Sequence, residues 1–544
     1  MAPGPAASLP EDVLAEILRR LAPLVLAASR RVCRAWRDTV DGRLRRHLIS
    51  HSVRGIFINY TAHRHGFSEF LSRPSTGPSI CGELDFLPCD GVKVADHCNG
   101  LLLCGDRKRE YVVNPATRRW ARLPRRPPPH MLGFGQSAYL AFEPAVSPHY
   151  EVFVIPRLPS AGELVEDDEL DKDTLLESEW PPASYALHVF SSMEDRWEEK
   201  TFLREGEAAG VVVDMVSNLP YYQYHAVYWR SALYIHGQHG CLTKMSLTNH
   251  TYSVIRLPVP GDDDLRGYPT HHLGRSLRGV YCAQGDYRNR LQIWHLDESR
   301  DQMEWVLKHD IRLDTCARKF TKIFEEDHAK QMGGPWILQD VNYRKDCERY
   351  QRAQRQQMDG SWILQAQGDD YPHWYFEGYR NRDKAPPVEE KYDWNSDEDS
   401  VLDIEDAAEG RYSKCYQFLG FHPYKEIVYL EFSRKRGVAY NWNSSKFQNL
   451  GSLEAEQYFY HEKRGIDSSF PYTPCWMGQF PGNELESLLE DEEIARIKRD
   501  QLEDSSNFTC LEEYELCKHR GSAKMAKDST AKIRRRRRVT ARAR

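Results

Sequence analysis

The sequence predicts a small all-α segment at the N-terminus, followed by a mostly antiparallel all-β domain and a C-terminal tail that is helical or disordered. Apolar residues recur at helical spacing mainly in the first fifty residues. From residue 51 to about 480, short apolar and aromatic runs alternate with Gly, Pro, Asn and Asp, which is typical of strands joined by tight turns. These patterns predict three parts, residues 1–50, 51–480 and 481–544.

The first fifty residues predict at least two amphipathic helices. Ser8 and Glu11 fit a capping box, and Pro10 sits where a first helical turn needs no N–H. Apolar residues then follow at helical spacing through residue 21: Val13, Leu14, Ile17, Leu18 and Leu21. Pro23 interrupts the pattern, and a second helical stretch is predicted from Leu26 to Val40.

These helices are too short to cover their own apolar stripe, because some forty residues cannot enclose a separate core. Either the rest of the chain or a partner protein must cover the stripe. The pattern alone leaves both options open.

The same residues resemble the F-box family. The resemblance rests on the start Leu9-Pro10-Glu11-Asp12, the apolar spacing that follows, and Val32-Cys33-Arg34-x-Trp36-Arg37. It implies binding to a SKP-family adaptor and, through it, to the cullin and RING subunits of an SCF-type ubiquitin ligase. The adaptor-facing surface implied by position comprises Leu9, Pro10, Leu14, Ile17, Leu18, Leu26, Val32, Cys33 and Trp36.

The long middle part predicts repeated antiparallel hairpins. The recurring unit is a strand, a tight polar turn and a second strand that bears an aromatic residue. Successive aromatic positions are separated by 77, 55, 53 and 142 residues: Trp120, Trp197, Tyr252, Trp305 and Phe447. Steps near fifty fit the blades of a kelch-type β-propeller, and the long step leaves room for another blade or an insertion. An open β-sandwich is the alternative that spacing does not exclude.

Part of this region resembles the F-box-associated, kelch-like region of plant F-box proteins. The motif Cys98-Asn99-Gly100 followed by Asn114-Pro115-Ala116-Thr117 and Trp120 carries the resemblance. Farther on, Pro335-Trp336-Ile337-Leu338 and Gly420-Phe421-His422-Pro423 resemble a large grass F-box family. The resemblance implies a β-propeller that binds a protein substrate. A charged insertion is expected at about 325–411.

Charge is unevenly distributed along the 544 residues, whose net charge is −6. Residues 1–50 carry +4, residues 532–544 carry +8, and the body between them is acidic. Residues 484–504 predict an amphipathic helix, and a disordered basic tail follows. The tail fits a nuclear import signal formed by Lys532, Arg534, Arg535, Arg536, Arg537 and Arg538. We therefore expect the protein in the nucleus, the cytoplasm or both.

No motif in the sequence predicts catalysis, a cofactor or a metal site. There is no Cys-x-x-Cys pair, Walker loop, nucleophile elbow or His-Glu-x-x-His. No apolar run reaches eighteen residues, so no membrane span is expected, and the basic tail lacks the aromatic residues that would stack on nucleic acid bases. Without a secretory signal, the 13 cysteines are expected to be reduced thiols.

Three functions follow as hypotheses. The leading one is a non-catalytic substrate-recognition subunit of a ubiquitin ligase. The second is a protein-interaction scaffold that recruits no ligase. The third is a propeller enzyme, which would need converging carboxylates or a metal in the central channel.

Overall fold

The computed structural model describes residues 10–61, 66–74, 80–105, 109–158, 172–215, 226–258, 270–313, 336–340, 416–453 and 465–477, with short gaps within some of these ranges. All of them belong to one compact unit, residues 1–481. The predicted insertion, apart from residues 336–340, lies outside the described residues. So do Ser8, Leu9, the predicted helix at 484–504 and the basic tail, and the role of the tail in nuclear import stays a prediction.

The helices and strands follow one another in a simple order. The helices are α1 (Glu11–Leu18), α2 (Pro23–Ser29), α3 (Arg34–Arg43), α4 (Lys172–Glu177) and α5 (Val212–Met215), with a 3-10 turn at Arg45–Leu48. The strands are β1 (Gly55–Thr61), β2 (Gly66–Ser72), β3 (Lys93–Cys98), β4 (Leu101–Gly105), β5 (Glu110–Asn114), β6 (Arg119–Arg122), β7 (Gly135–Phe142), β8 (Tyr150–Arg157), β9 (Glu179–Trp180), β10 (Ser184–Ser191), β11 (Arg196–Glu205), β12 (Gly210–Val211), β13 (Ala226–Trp229), β14 (Ala232–His236), β15 (Cys241–Ser246), β16 (Thr251–Arg256), β17 (Thr270–Ser276), β18 (Gly279–Gly285), β19 (Arg290–Asp297), β20 (Glu304–Arg312), β21 (Ile337–Asp340), β22 (Tyr416–Phe421), β23 (Ile427–Phe432), β24 (Arg436–Asn441), β25 (Lys446–Ser452) and β26 (Gly465–Tyr472).

The N-terminal helices are shorter and more broken than the sequence predicts. The prediction of one helical stretch from Leu26 to Val40 is wrong, because α2 ends at Ser29 and α3 begins at Arg34. The Ser29 hydroxyl donates to the Leu26 carbonyl at 2.7 Å, and Cys33 has an extended backbone, so the chain turns between the two helices. Pro23 occupies the first position of α2, where its fixed φ favours a helix start.

Apart from a short β9–β12 pair, the described strands form six four-stranded units. Four contain consecutive strands, β3–β6, β13–β16, β17–β20 and β22–β25, and a fifth contains β7, β8, β10 and β11. The fifth joins the β13–β16 unit edge to edge through a parallel pairing of β11 with β16. The predicted mostly antiparallel β domain is confirmed.

The sixth unit closes the ring. Its strand order is β21, β2, β1 and β26, so strands from near residue 60 and near residue 470 pair side by side. The innermost strands contact one another in the sequence β3, β7, β13, β17, β22 and β26, and β26 returns to β3. The described strands therefore form a six-bladed β-propeller, not an open sandwich, and the edges of its inner strands are covered.

The aromatic positions used to count repeats all lie in outermost strands. Trp120 is in β6, Trp197 in β11, Tyr252 in β16, Trp305 in β20 and Phe447 in β25. The long step from Trp305 to Phe447 contains the first three strands of the β22–β25 blade, and it also contributes β21 to the closing blade.

Candidate partner-binding surface

The helical segment is attached to one end of the propeller by backbone pairing. Ile49 forms an antiparallel bridge with Cys475. The Ser50 N–H donates to the Pro474 carbonyl, and the Trp476 N–H donates to the Leu48 carbonyl, both at 2.9 Å. Buried residues of both parts also form one continuous apolar cluster. The helices and the propeller are therefore held together by long-range contacts as well as by the chain between them.

Ion pairs fix the three helices relative to one another. Arg30 binds Asp41 through two hydrogen bonds of 2.8 Å, and both side chains are largely buried. Arg43, at the end of α3, donates to Asp12 at the start of α1 at 2.7 Å. The hydrogen bond that Arg43 donates to Asp12 raises the pKa of Arg43.

The predicted adaptor-facing residues divide into two groups. Leu14, Leu18 and Leu26 are 5%, 0% and 0% exposed, and they belong to the apolar cluster that the helical segment shares with the propeller. Pro10, Ile17, Val32 and Cys33 are exposed, and Trp36 is half-buried against the apolar cluster. Leu9 lies outside the described residues.

Two exposed apolar residues were not in the predicted set. Val13 lies one turn before Ile17 on the same face of α1, and Val25 lies on α2. The exposed fractions of Val13, Ile17, Val25 and Val32 are 45%, 46%, 51% and 63%. We call these four residues the apolar helix surface. Val13, Ile17 and Val25 lie on helices and Val32 lies in the turn between α2 and α3, and only packing separates these residues from the neighbouring leucines.

The other end of the propeller carries the longer connections. Short turns at 99–100, 230–231 and 277–278 follow the innermost strands on the side of the helices. For example, Arg45 donates to the Val146 carbonyl in the β7–β8 turn. Connections at 123–134, 257–269 and 453–464 reach the innermost strands from the opposite end. Within the described residues, the helices therefore lie at the end with the short turns.

The central channel has a polar mouth on the side of the helices. Asn99 donates to the Phe142 carbonyl at 2.6 Å, and Arg275 donates to the side-chain oxygen of Asn99. The Arg275 guanidinium also lies 5.8 Å from the ring centroid of Tyr424. These contacts join the ends of four blades around the mouth.

One carboxylate lines the described part of the channel. Asp96 is 6% exposed, and its Oδ2 accepts the Leu140 N–H of the next blade at 2.7 Å. Burial raises the pKa of Asp96 to about 7. A lone carboxylate held between two blades does not form the converging pair that the enzyme hypothesis requires.

The search for metal ligands gives no candidate within the described ranges. No group of three or more His, Cys, Asp or Glu side chains there could hold an ion. Among those same residues, no helix is both long enough and apolar enough to cross a bilayer.

The described residues thus define a protein in which three short N-terminal helices are joined to a six-bladed propeller. Residues 6–51 match the F-box-like family model. The chain is 22% identical over 344 residues to the F-box protein At5g07610 of Arabidopsis thaliana, covering 58% of this chain and 74% of that protein. It is 23% identical over 366 residues to the F-box/kelch-repeat protein At1g15680 of the same plant, covering 60% and 79%.

Similarity to solved structures contributes less to the fold assignment than the observed strand pairing does. The crystal structure of Citrobacter koseri AztD aligns with a TM-score of 0.27 at 7% identity, covering 74% of this chain and 94% of that chain. The β-propeller assignment therefore rests on the closed ring of strands described above.

Proposed function

We propose that this protein is the substrate-recognition subunit of an SCF-type cullin–RING ubiquitin ligase. The observation that carries the proposal is the apolar helix surface, Val13, Ile17, Val25 and Val32, on an F-box-like segment that is fixed to a propeller. Exposed aliphatic residues grouped on one small module are typical of a protein interface. The partner that F-box segments bind is a SKP-family adaptor.

The proposed adaptor contact uses the exposed residues and leaves the leucines in place. Ile17, Val32, Cys33 and the accessible edge of Trp36 contact the adaptor, together with Val13 and Val25. Leu14, Leu18 and Leu26 act indirectly, because they pack the helices that present this surface. A Leu14→Ala change is thus a poor probe of binding, since it opens a cavity in the core.

The proposed mechanism is positioning. The helices hold the adaptor at one end of the propeller, and the longer connections at the other end hold a protein substrate. The rigid attachment of helices to propeller limits the distance and orientation between substrate and ligase. In this proposal the cullin and RING subunits carry out the chemistry, and the chain acts by holding the adaptor and the substrate.

A pull-down with a SKP-family adaptor tests the proposal. Each side chain of the apolar helix surface is about half exposed, so burying it contributes about 1 kcal/mol. The double change Ile17→Asp and Val32→Asp removes two of these apolar contacts and would bury two unpaired carboxylates in the interface. We expect the binding free energy to fall by at least about 3 kcal/mol, which is roughly a hundredfold in affinity.

Matched controls are available on the propeller. Ile337 on β21 and Val213 on α5 are 50% and 51% exposed, so Ile337→Asp with Val213→Asp adds the same charges elsewhere. We expect this control to keep the adaptor. If the helix variant binds the adaptor as tightly as the control does, the proposal is wrong.

The scaffold hypothesis makes a different prediction for the same sample. A scaffold would retain the adaptor but would not bring cullin with it. Co-purification of cullin with the full chain supports the ligase role. If the Ile17→Asp, Val32→Asp variant no longer brings cullin with it, the helices are responsible for recruiting cullin.

A further inference from the structure

A basic crevice separates the helical segment from the first blade. One wall is α2 and the start of α3, and the other is the hairpin turn between β5 and β6. Leu24, Ala27, Ala28, Ala116 and Trp476 give it an apolar floor. Four arginines also line it, and no acidic side chain does among the described residues.

The charge in the crevice is largely unneutralised. Arg30 is paired with Asp41, as described above. Arg31, Arg37 and Arg119 are exposed, and none of them has a carboxylate partner within the described part of the chain. Three guanidinium groups around an apolar floor are complementary to a chain segment that carries several carboxylates and an apolar side chain.

We propose that this crevice binds a linear acidic peptide segment of a partner protein. Arginine forks bind carboxylates in two-point contacts, and Leu24 and Trp476 offer a surface for an apolar residue between them. Trp476 is the one aromatic side chain in the described lining, so stacking of successive bases on a nucleic acid strand has little support. The inference goes beyond adaptor binding, because four of the ten lining residues, Ala116, Thr117, Arg119 and Trp476, come from the propeller part of the chain.

The experiment measures fluorescence anisotropy of a labelled peptide of alternating glutamate and leucine, titrated with the full-length protein. The test variant is Arg31→Gln, Arg37→Gln and Arg119→Gln. The control variant changes three other exposed arginines without a described carboxylate partner, Arg122, Arg125 and Arg256, to Gln. Both variants lower the net charge equally.

We expect the test variant to bind the peptide at least about tenfold more weakly than the control variant, and raising the salt concentration to abolish the difference. A second variant, Ala28→Glu, places a carboxylate in the crevice without removing an arginine. It should also weaken binding, whereas Ala35→Glu, on an exposed site outside the crevice, should not.

Four results would overturn the proposal. The first is no binding by the wild-type chain, and the second is equal affinity of the test and control variants. The third is tighter binding of single-stranded DNA through the same arginines, which would make the crevice a nucleic acid site. The fourth is peptide binding only after deletion of the acidic residues 395–410, which would make the chain's own segment the occupant.

Discussion

Replacing Asp96 by Asn should change how the stability of the propeller depends on pH. Asp96 lies between the first two blades, and its carboxylate accepts the Leu140 N–H without an ion-pair partner among the described residues. Its pKa is about 7 in the folded protein, against an ordinary value of 3.8, because burial disfavours the charged form. Asn keeps a carbonyl oxygen for the Leu140 N–H and cannot ionise.

The sign and size follow from proton linkage. The folded protein holds the Asp96 proton more tightly than the unfolded chain does. Relative to the Asn variant, the wild type therefore keeps its full free energy of unfolding below pH 3.8 and loses part of it as the pH rises towards 7. Between about pH 5 and about pH 8, the wild type should lose roughly 3 kcal/mol of unfolding free energy that the Asn variant does not lose.

Urea denaturation followed by tryptophan fluorescence, repeated across this pH range, measures the difference. His422 is also buried, and burial lowers its pKa to about 3, but it is present in both proteins and cancels in the comparison. Asp38→Asn, at an exposed helix position, is the matched control and should follow the wild type. Parallel stability curves for wild type and Asp96→Asn would refute the reasoning.

Two further predictions concern the joint between helices and propeller and the helical segment itself. Gly100 has φ +89°, and an added Cβ would lie 2.6 Å from the Cys475 backbone nitrogen, whereas Gly206 has φ +87° with open space around it. Gly206→Ala should therefore cost about 1 kcal/mol, from backbone strain alone, and Gly100→Ala about 1–3 kcal/mol more; equal losses in thermal unfolding would contradict the packing described at the joint. Asp41→Asn breaks the largely buried pair with Arg30 and should cost about 2–3 kcal/mol. A double-mutant cycle with Arg30→Gln measures the coupling, and additive effects would show that the pair does not hold α2 and α3 together.

The outer strands of the propeller were predictable because their signal is local. In four of these strands the aromatic residue comes two positions after a turn residue with positive φ: Trp120, Trp197, Tyr252 and Phe447. A tight polar turn followed by an aromatic strand residue can be seen within a dozen residues of sequence. These outer strands could therefore be predicted without knowledge of tertiary contacts, whereas the number of blades could not.

The closing blade could not be found in the same way. Its four strands come from residues 55–72, 337–340 and 465–472, and no short-range pattern connects segments so far apart. Their pairing is determined by the need of a closed ring to cover its last strand edges. The spacing of aromatic residues indicated only that the long interval before Phe447 contains another blade or an insertion.

The helical site was predictable in position but not in orientation. The spacing of apolar residues located the helices and their stripe, yet Leu14 and Leu18 face the core while Val13 and Ile17 remain exposed. The two sets are adjacent in sequence, and a single stripe on a helix cannot show which part another helix covers. The break at Ser29 added to the difficulty, because it turns α3 relative to α2.

The pairing of β1 with β26 has a consequence for biosynthesis. Strand β1 leaves the ribosome early, but its neighbour on the channel side is made more than four hundred residues later. During that interval β1 can pair with β2, but its other edge has no partner, and such open strand edges attract other chains. Messages truncated before residue 465 will yield an unclosed ring, and we expect those products to be held by chaperones and degraded.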